Sequence, residues 1–382
     1  MIKQLTIKNY KSVVNQSFEL GQFNVLIGAN GCGKSNILEA IALAALSSSN
    51  KLDAELFSGR GIRLTSPALM TSAFEGIRSD QIEILVKTEK DVASLFRIRF
   101  NEDVKPARWE DVIEGETSKL LESFSSPDAE YTELLKKLFK DEGVFANIRL
   151  RLDGHTVSIS HTEVNGLRSF VIYSPEESAL RSFEPTGTGI IEKNGKGLFP
   201  YLKGLSQSED GRDVLHIIRE KMSVIDWFDD MDFPLDSSSH DYSIRLHDRY
   251  LEDGLTYFDQ RSANEAFLYL LLYFTLIISD ETPSFFAIDN IESSLNPKMS
   301  VRVLKELIAL SQAYNKQIIV TTHSPYILDA LDLTDEKQRL FVARRNIDGY
   351  TVLNSIERND QTSVPLSEAW MKGYIGGLPN NF

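Results

Sequence analysis

The segment Gly28-Ala29-Asn30-Gly31-Cys32-Gly33-Lys34-Ser35 fits the pattern G-x-x-x-x-G-K-[ST] in full. That spacing suits a polyphosphate. Glycines let the backbone wrap an anion with successive N–H groups pointing inward, and a helix starting just after the loop adds its positive end. Lys34 then reaches the outer phosphates, and the Ser35 hydroxyl ligates Mg²⁺. Two further groups lie far down the chain. The apolar run Phe285-Phe286-Ala287-Ile288 ends in Asp289, followed by Asn290, Ile291 and Glu292; an acid so placed helps to hold the Mg²⁺ of a nucleotide. Thr321-Thr322-His323-Ser324-Pro325 closes another apolar run. A lone histidine there is more often structural or solvated, but with the other two motifs His323 reads as a sensor of the γ-phosphate.

Chemistry of this kind needs strands and helices that aim the loops. Ile2, Leu5, Ile7 and Tyr10 alternate with polar residues as in a strand, and Phe23–Ile27 suits a strand buried on both faces. Ile37, Leu38, Ile41, Ala42 and Ala45 recur at helical spacing, which predicts a helix over about 35–46. Strand, glycine loop and helix together open a nucleotide-binding α/β domain. The middle of the chain predicts strands at 82–88, 95–100, 146–152, 156–161 and 170–174. It also predicts helices over 117–142 and from Gly197 to about Met222. From Phe258 onward the pattern gives a long apolar helix (264–279), a strand at 284–288, an amphipathic helix at about 298–313, a strand at 317–321 and a late strand pair beginning at 340–343.

Composition sets the outer limits. Hydrophobic residues make up 42% and charged residues 25%, which is ordinary for a globular chain and excludes a disordered polymer or a disulfide scaffold. Lys and Arg number 41 against 55 Asp and Glu, a net charge of −14. Contact with nucleic acid would therefore need a local basic patch or a partner chain. The single cysteine, Cys32, fits a reducing compartment. The most apolar run, Ala266–Ile278, is too short for the about 20 residues that a bilayer requires, and the N-terminus has no apolar h-region. These features predict a cytoplasmic protein with no membrane partner. Arg97, Arg99, Arg149 and Arg151 alternate on expected strands, either as a basic stripe or as a solvated face paired with acids; the paired face is the expectation. Lys136, Lys137 and Lys140 read as the polar side of a helix.

Taken together, the motifs resemble the ABC-type ATPase heads of the SMC-like and OLD-like families, the AAA family ATPases of bacteria. IKNYKS at the start is similar to their I-x-N-[FY]-[RK]-S opening, GANGCGKSNILEAI to their Walker A segment and its helix, FAIDNIESSLNP to IDEPExxLHP, and VTTHSPYIL to their histidine-switch segment. The match covers roughly residues 1–45 and 255–345, and LSEAWMKGYIGGLP is similar to the tail of many stand-alone members. The resemblance implies nucleotide contacts from Lys11, Asn30, Gly31, Gly33, Lys34, Ser35 and Asn36, Mg²⁺ held by Ser35 and Asp289, and His323 at the γ-phosphate. It also implies a signature serine that acts across a dimer interface; the segment Arg261-Ser262-Ala263-Asn264-Glu265 corresponds, with Ser262 at the start of the long helix.

Two departures from the family pattern bear on catalysis. The glutamate that follows the Walker B aspartate, and serves as base for the attacking water, is here Asn290; an amide cannot usefully accept that proton. Glu292 matches a second acid of the motif and is the substitute candidate. In the signature segment a glycine has become Asn264.

The expected fold is α/β, a P-loop NTPase of the ABC-ATPase type with a mixed β-subdomain and a helical insertion. Residues 1–60 and 255–382 would form the ATPase core and 61–254 the β-subdomain and insertion. The expected function is an ATP- and Mg²⁺-dependent regulatory ATPase that forms a homodimer or higher homo-oligomer and controls a separate effector protein, such as a nuclease, in anti-phage defence. Hydrolysis is expected to be slow. The alternatives are an SMC-like DNA-maintenance ATPase acting directly on DNA, and a transporter ATPase. The insertion lacks the sustained heptads of a coiled-coil arm.

Overall fold

The computed structural model describes residues 1–90, 93–112, 148–152, 155–159, 166–182, 184, 186, 190–233, 244–252, 257–357 and 364–378. The helix expected over 117–142, with Lys136, Lys137 and Lys140, lies outside the described residues, as do the outer ends of the strands expected at 146–152 and 156–161. By contacts the chain divides into two compact units. One comprises Met1–Phe170, Leu333–Arg358 and Ile375–Phe382; the other comprises Val171–Asp332 and Asn359–Tyr374.

The first unit contains a five-stranded antiparallel sheet in the order Val13–Glu19, Ile2–Tyr10, Gln81–Thr88, Ala93–Asn101, Arg108–Asp111. Alternation in sequence becomes two faces in space. Leu5 pairs with Val86, Ile7 with Ile84, and Ile84 in turn with Phe96, and all of these are buried. Truncating one such side chain to alanine costs about 2–5 kcal/mol. On the other face Glu83 binds Lys8 at 3.3 Å and Arg97 at 3.1 Å, while Arg99 binds Glu110 at 2.9 Å. Arg97 and Arg99 thus belong to a solvated face paired with acids, not to a free basic stripe. Arg149 and Arg151 lie on the strand Ile148–Leu152, which pairs with His155–Ile159.

The same unit carries the parallel pair Phe23–Ile27 and Gln338–Arg345, with Thr351–Ile356 antiparallel to the latter. Every residue of Phe23–Ile27 is buried. The helix Lys34–Ser47 follows the glycine loop, and nearly all its residues, alanines and the polar Lys34 and Glu39 among them, are buried. A helix hydrophobic nearly all round is a core helix, and its small alanines permit close approach.

In the second unit Ile172–Tyr173, Phe285–Ile288 and Gln317–Thr321 run parallel. The stretch from Phe267 to Ile278, apolar but for Thr275, lies within the helix Glu265–Ile278 and is wholly buried. Pro297–Ala313 is amphipathic; the Asn296 side chain accepts from Met299 N–H and Pro297 occupies the first turn, two standard start signals. The helical segment expected from Gly197 to about Met222 is formed by two helices, Leu198–Ser206 and Glu209–Met222. Ser208 ends the continuity by capping the second one at Gly211 N–H. Phe228–Asp232 and Arg245–Asp248 pair antiparallel in the same unit. Among the described residues, no helix is long and apolar enough to cross a membrane.

Candidate nucleotide-binding site

The glycine loop leaves the buried strand Phe23–Ile27 and enters the helix at Lys34. Gly28 has φ +145° and Gly33 φ +108°. A Cβ at Gly28 would sit 2.2 Å from the Ala343 carbonyl oxygen, and one at Gly33 would sit 2.0 Å from Thr351 Oγ1 and 2.9 Å from Ser12 Oγ. Both positions therefore demand glycine on conformation and on space. Lys34 is 6% exposed, and its ammonium donates to the carbonyl oxygens of Gly28 at 2.7 Å and Ala29 at 3.3 Å. A buried cation resting on main-chain carbonyls can be drawn to an anion with little loss. Asn30 and Gly31 at the tip are exposed, while Ser35 and Asn36 are half-buried. This set fits a polyphosphate.

The loop is braced by groups that the sequence did not single out. Thr351 donates to the Cys32 carbonyl at 2.8 Å and lies 2.7 Å from Ser12 Oγ, which accepts from Asn36 Nδ2 at 2.6 Å. Asn36 Oδ1 in turn accepts from Arg63 at 3.2 Å. Because Thr351 gives its one hydroxyl proton to the Cys32 carbonyl, Ser12 is the donor to Thr351, and the chain of bonds runs in one direction from Asn36. Lys11, with a left-handed φ of 46°, does not point freely outward. Its ammonium meets Glu39 at 2.5 Å and the Arg63 carbonyl at 2.8 Å. Glu39, 1% exposed, also receives Arg63 Nε at 2.5 Å and Tyr10 hydroxyl at 3.1 Å. Burial, and then the Glu39 charge, push the Tyr10 phenol well above its ordinary pKa. Ser12 does stand in the opening motif beside Lys11. Thr351, 319 residues from Cys32, carries no local signal.

The second unit holds the acid and the histidine. Thr321, the last residue of its strand, donates its hydroxyl to Asp289 Oδ1 and accepts from Asn290 N–H at 2.9 Å, while Ile291 N–H binds the Thr321 carbonyl at 3.1 Å. Asp289 is half-buried and Asn290 exposed. Asn290 has φ +54°, a left-handed conformation that asparagine tolerates better than most residues. His323 is exposed, and its backbone N–H donates to Glu292 Oε1 at 2.7 Å.

Ser262 is exposed in a turn whose Ser262 N–H binds the Asp259 carbonyl at 3.1 Å. It does not start the long helix as expected. Asn264 is the N-cap, its side chain accepting from Phe267 N–H at 2.8 Å, which gives that residue a capping role. Arg181 holds the turn through the carbonyls of Gln260 at 2.7 Å, Arg261 at 2.8 Å and Ala263 at 2.8 Å. No sequence pattern marks Arg181.

A glycine loop between buried strand and helix, with a strand-end acid and a strand-end histidine, defines a P-loop nucleotide-binding protein. A family model described as "AAA domain, putative AbiEii toxin, Type IV TA system" matches residues 23–329. The chain belongs to that AAA domain family and is a P-loop ATPase of this type. Comparison with curated proteins finds no match. Among solved structures the chain is similar in fold to an SMC head bound to the C-winged helix domain of ScpA, with TM-score 0.55 and 13% identity over 93% of this chain and 98% of that one. Lower scores relate it to the SMC head domain from Thermotoga maritima (TM-score 0.44, 15% identity, 94% and 99% covered). The Smc head from Pyrococcus furiosus, with an extended coiled coil and bound to the C-terminal domain of ScpA, gives TM-score 0.48 and 13% identity, with 98% of each chain covered.

Proposed function

We propose that the chain is an ATP-operated switch, a regulatory ATPase that dimerises when ATP is bound and controls a separate effector protein in anti-phage defence. The observation that carries this reading is Asn290 at the place of the general base, exposed and in left-handed backbone beside Asp289. Lys34 and the loop amides take the phosphates, and Asn36 and Lys11 stand around them. Ser35 and Asp289 would hold Mg²⁺, which would neutralise phosphate charge. General-base assistance is worth about 10²- to 10⁴-fold; without it the bound triphosphate is long-lived, which suits a switch better than a motor. ATP favours the closed pair because its γ-phosphate meets both chains and ADP lacks it. The family description names a toxin of a type IV toxin–antitoxin system, which fits a chain that works with a second protein. The SMC-head fold favours one further reading, an ATPase acting on DNA, and the ScpA domain bound to that head is a protein partner of the kind a head can take.

The test is light scattering of the full chain with Mg²⁺ and a non-hydrolysable ATP analogue, and of Ser262→Arg beside it. The parent dimerises only with the analogue; the variant binds nucleotide and stays monomeric. Equal dimerisation with and without nucleotide overturns the switch. ATP turnover stimulated by DNA, with no protein co-purifying, favours the second reading.

A further inference from the structure

Glu292 lies in the turn that follows the strand Phe285–Ile288, three residues beyond Asp289. As an acid near the expected water position, it is the natural stand-in for the base missing at 290. A base must offer a free lone pair to the attacking water. One Glu292 oxygen, Oε1, already accepts the His323 backbone N–H at 2.7 Å. The other, Oε2, is buried and has no hydrogen-bond partner among the described residues. The buried Tyr273 hydroxyl, on the apolar helix, is likewise without a partner among the described residues. Burial first, then the charges of Tyr269 and Glu292, holds the Tyr273 phenol well above its ordinary pKa. The Glu292 carboxylate is thus engaged on one side and withdrawn from solvent on the other.

Its engagement continues a pattern. Thr321 fixes Asp289 and the Asn290 amide, and its carbonyl fixes the Ile291 amide. Glu292 then fixes the His323 amide in the opposite sense, from the turn back to the histidine segment. A carboxylate accepting a backbone N–H makes a charge-assisted bond, stronger than a neutral one. His323 itself is exposed on the strand-end segment after Thr322, so its direction depends on what holds its peptide unit.

We propose that Glu292 is a positioning residue, one that fixes the backbone of His323 and does not take the proton of the attacking water. This rests on the reading of the chain as an ATP-hydrolysing switch with His323 at the γ-phosphate. The two roles ask for different chemistry at one side chain. Positioning needs an acceptor, which glutamine also provides; a base needs proton affinity, which glutamine lacks.

The experiment compares the full chain with Glu292→Gln and Glu292→Ala in two measurements. The first is hydrogen exchange of peptides that cover residues 321–325, without nucleotide. Glu292→Ala speeds exchange at the His323 amide by about tenfold, the size of one lost hydrogen bond, and Glu292→Gln returns most of the protection. The second is steady-state ATP hydrolysis. Glu292→Ala lowers kcat by about tenfold with KM changed much less, and Glu292→Gln recovers most of kcat. Glutamine as inactive as alanine while exchange stays protected makes Glu292 the base and overturns the proposal. Exchange unaltered in both variants removes the tie and overturns it as well. Failure of the parent to bind or hydrolyse ATP would sink the switch instead, and the exchange measurement still decides the tie.

Discussion

The phosphate loop and the acidic turn are braced in different ways. The loop 28–35 is held from far along the chain, by Thr351 on the Cys32 carbonyl and by Ala343 and Ser12 packed where side chains at Gly28 and Gly33 would sit. Its polar contacts leave the tip residues Asn30 and Gly31 exposed. The turn 289–292 is held by the neighbouring strand end, Thr321 through His323, and those bonds engage its acids: Asp289 takes the Thr321 hydroxyl and Glu292 the His323 amide. One region is shaped to receive an anion, and the other keeps its carboxylates in internal bonds. If the loop binds nucleotide and the turn serves hydrolysis, as proposed, substitutions should move one without the other.

The largest effect belongs to the loop. Lys34→Ala removes the buried ammonium and should weaken ATP binding by about 30- to 1000-fold, an estimated 2–4 kcal/mol for a charge-assisted contact in a partly dry site. Calorimetric titration measures it, with circular dichroism as a check on folding. ATP affinity unchanged in a folded Lys34→Ala protein would break the comparison at its first half.

A smaller effect belongs to the turn. On the proposed reading Asn290→Glu supplies a base, and steady-state hydrolysis should rise at least tenfold, below the full gain of about 10²- to 10⁴-fold from a well-placed general base. ATP affinity should change little. Because Asn290 has φ +54°, a glutamate there carries a left-handed backbone cost of about 1–2 kcal/mol, so the variant should also melt at lower temperature. A parent that already turns over quickly, with no gain in the variant, would show that the turn does not limit the reaction.

The loop was legible in the sequence because sterics dictate its residue types locally: Gly28 and Gly33 have no room for a Cβ, and Phe23–Ile27 is apolar because every residue of it is buried. The helix expected over 35–46 appears at Lys34–Ser47 for the same reason. What escaped notice depends on distance or on weak propensity. Thr351 and Arg181 act on carbonyls, which any sequence presents, so their partners leave no pattern. The strand Phe228–Asp232 reads Phe-Asp-Asp-Met-Asp, poor in strand formers. It is held by packing: the Phe228 ring lies 5.7 Å from Phe267, and Trp227 lies 5.4 Å from Phe258 and 5.6 Å from Phe267. Ser262, expected at the start of the long helix, precedes it, because apolar periodicity shows where a helix runs better than where its cap sits, and Asn264 is the cap.

The smallest expected effect separates two lysines that look alike. Lys34 is 6% exposed and Lys316 2% exposed, and each rests its ammonium on main-chain carbonyls. Lys316 donates to the Ser279 carbonyl at 2.7 Å and the Thr282 carbonyl at 3.0 Å, beyond the end of the helix Glu265–Ile278, so it is a helix-end brace with no anion to await. Burial lowers its pKa from 10.5 to about 8, against a weaker upward pull from Asp280. A lysine that loses its proton more easily in the folded state leaves the unfolded chain with more bound protons between pH 8 and 10.5. Stability then rises with pH across that window and is lost as pH falls through about 8. The melting temperature should climb by a few degrees from pH 8 to pH 10, a slope set against any general loss from other groups. Lys316→Met should remove that climb while leaving ATP affinity as in the parent, the reverse of what Lys34→Ala does. A pH profile identical in parent and Lys316→Met would mean that the ammonium is not held in a desolvated state. Reduced ATP affinity in Lys316→Met would mean that bracing in the second unit and nucleotide binding are coupled after all.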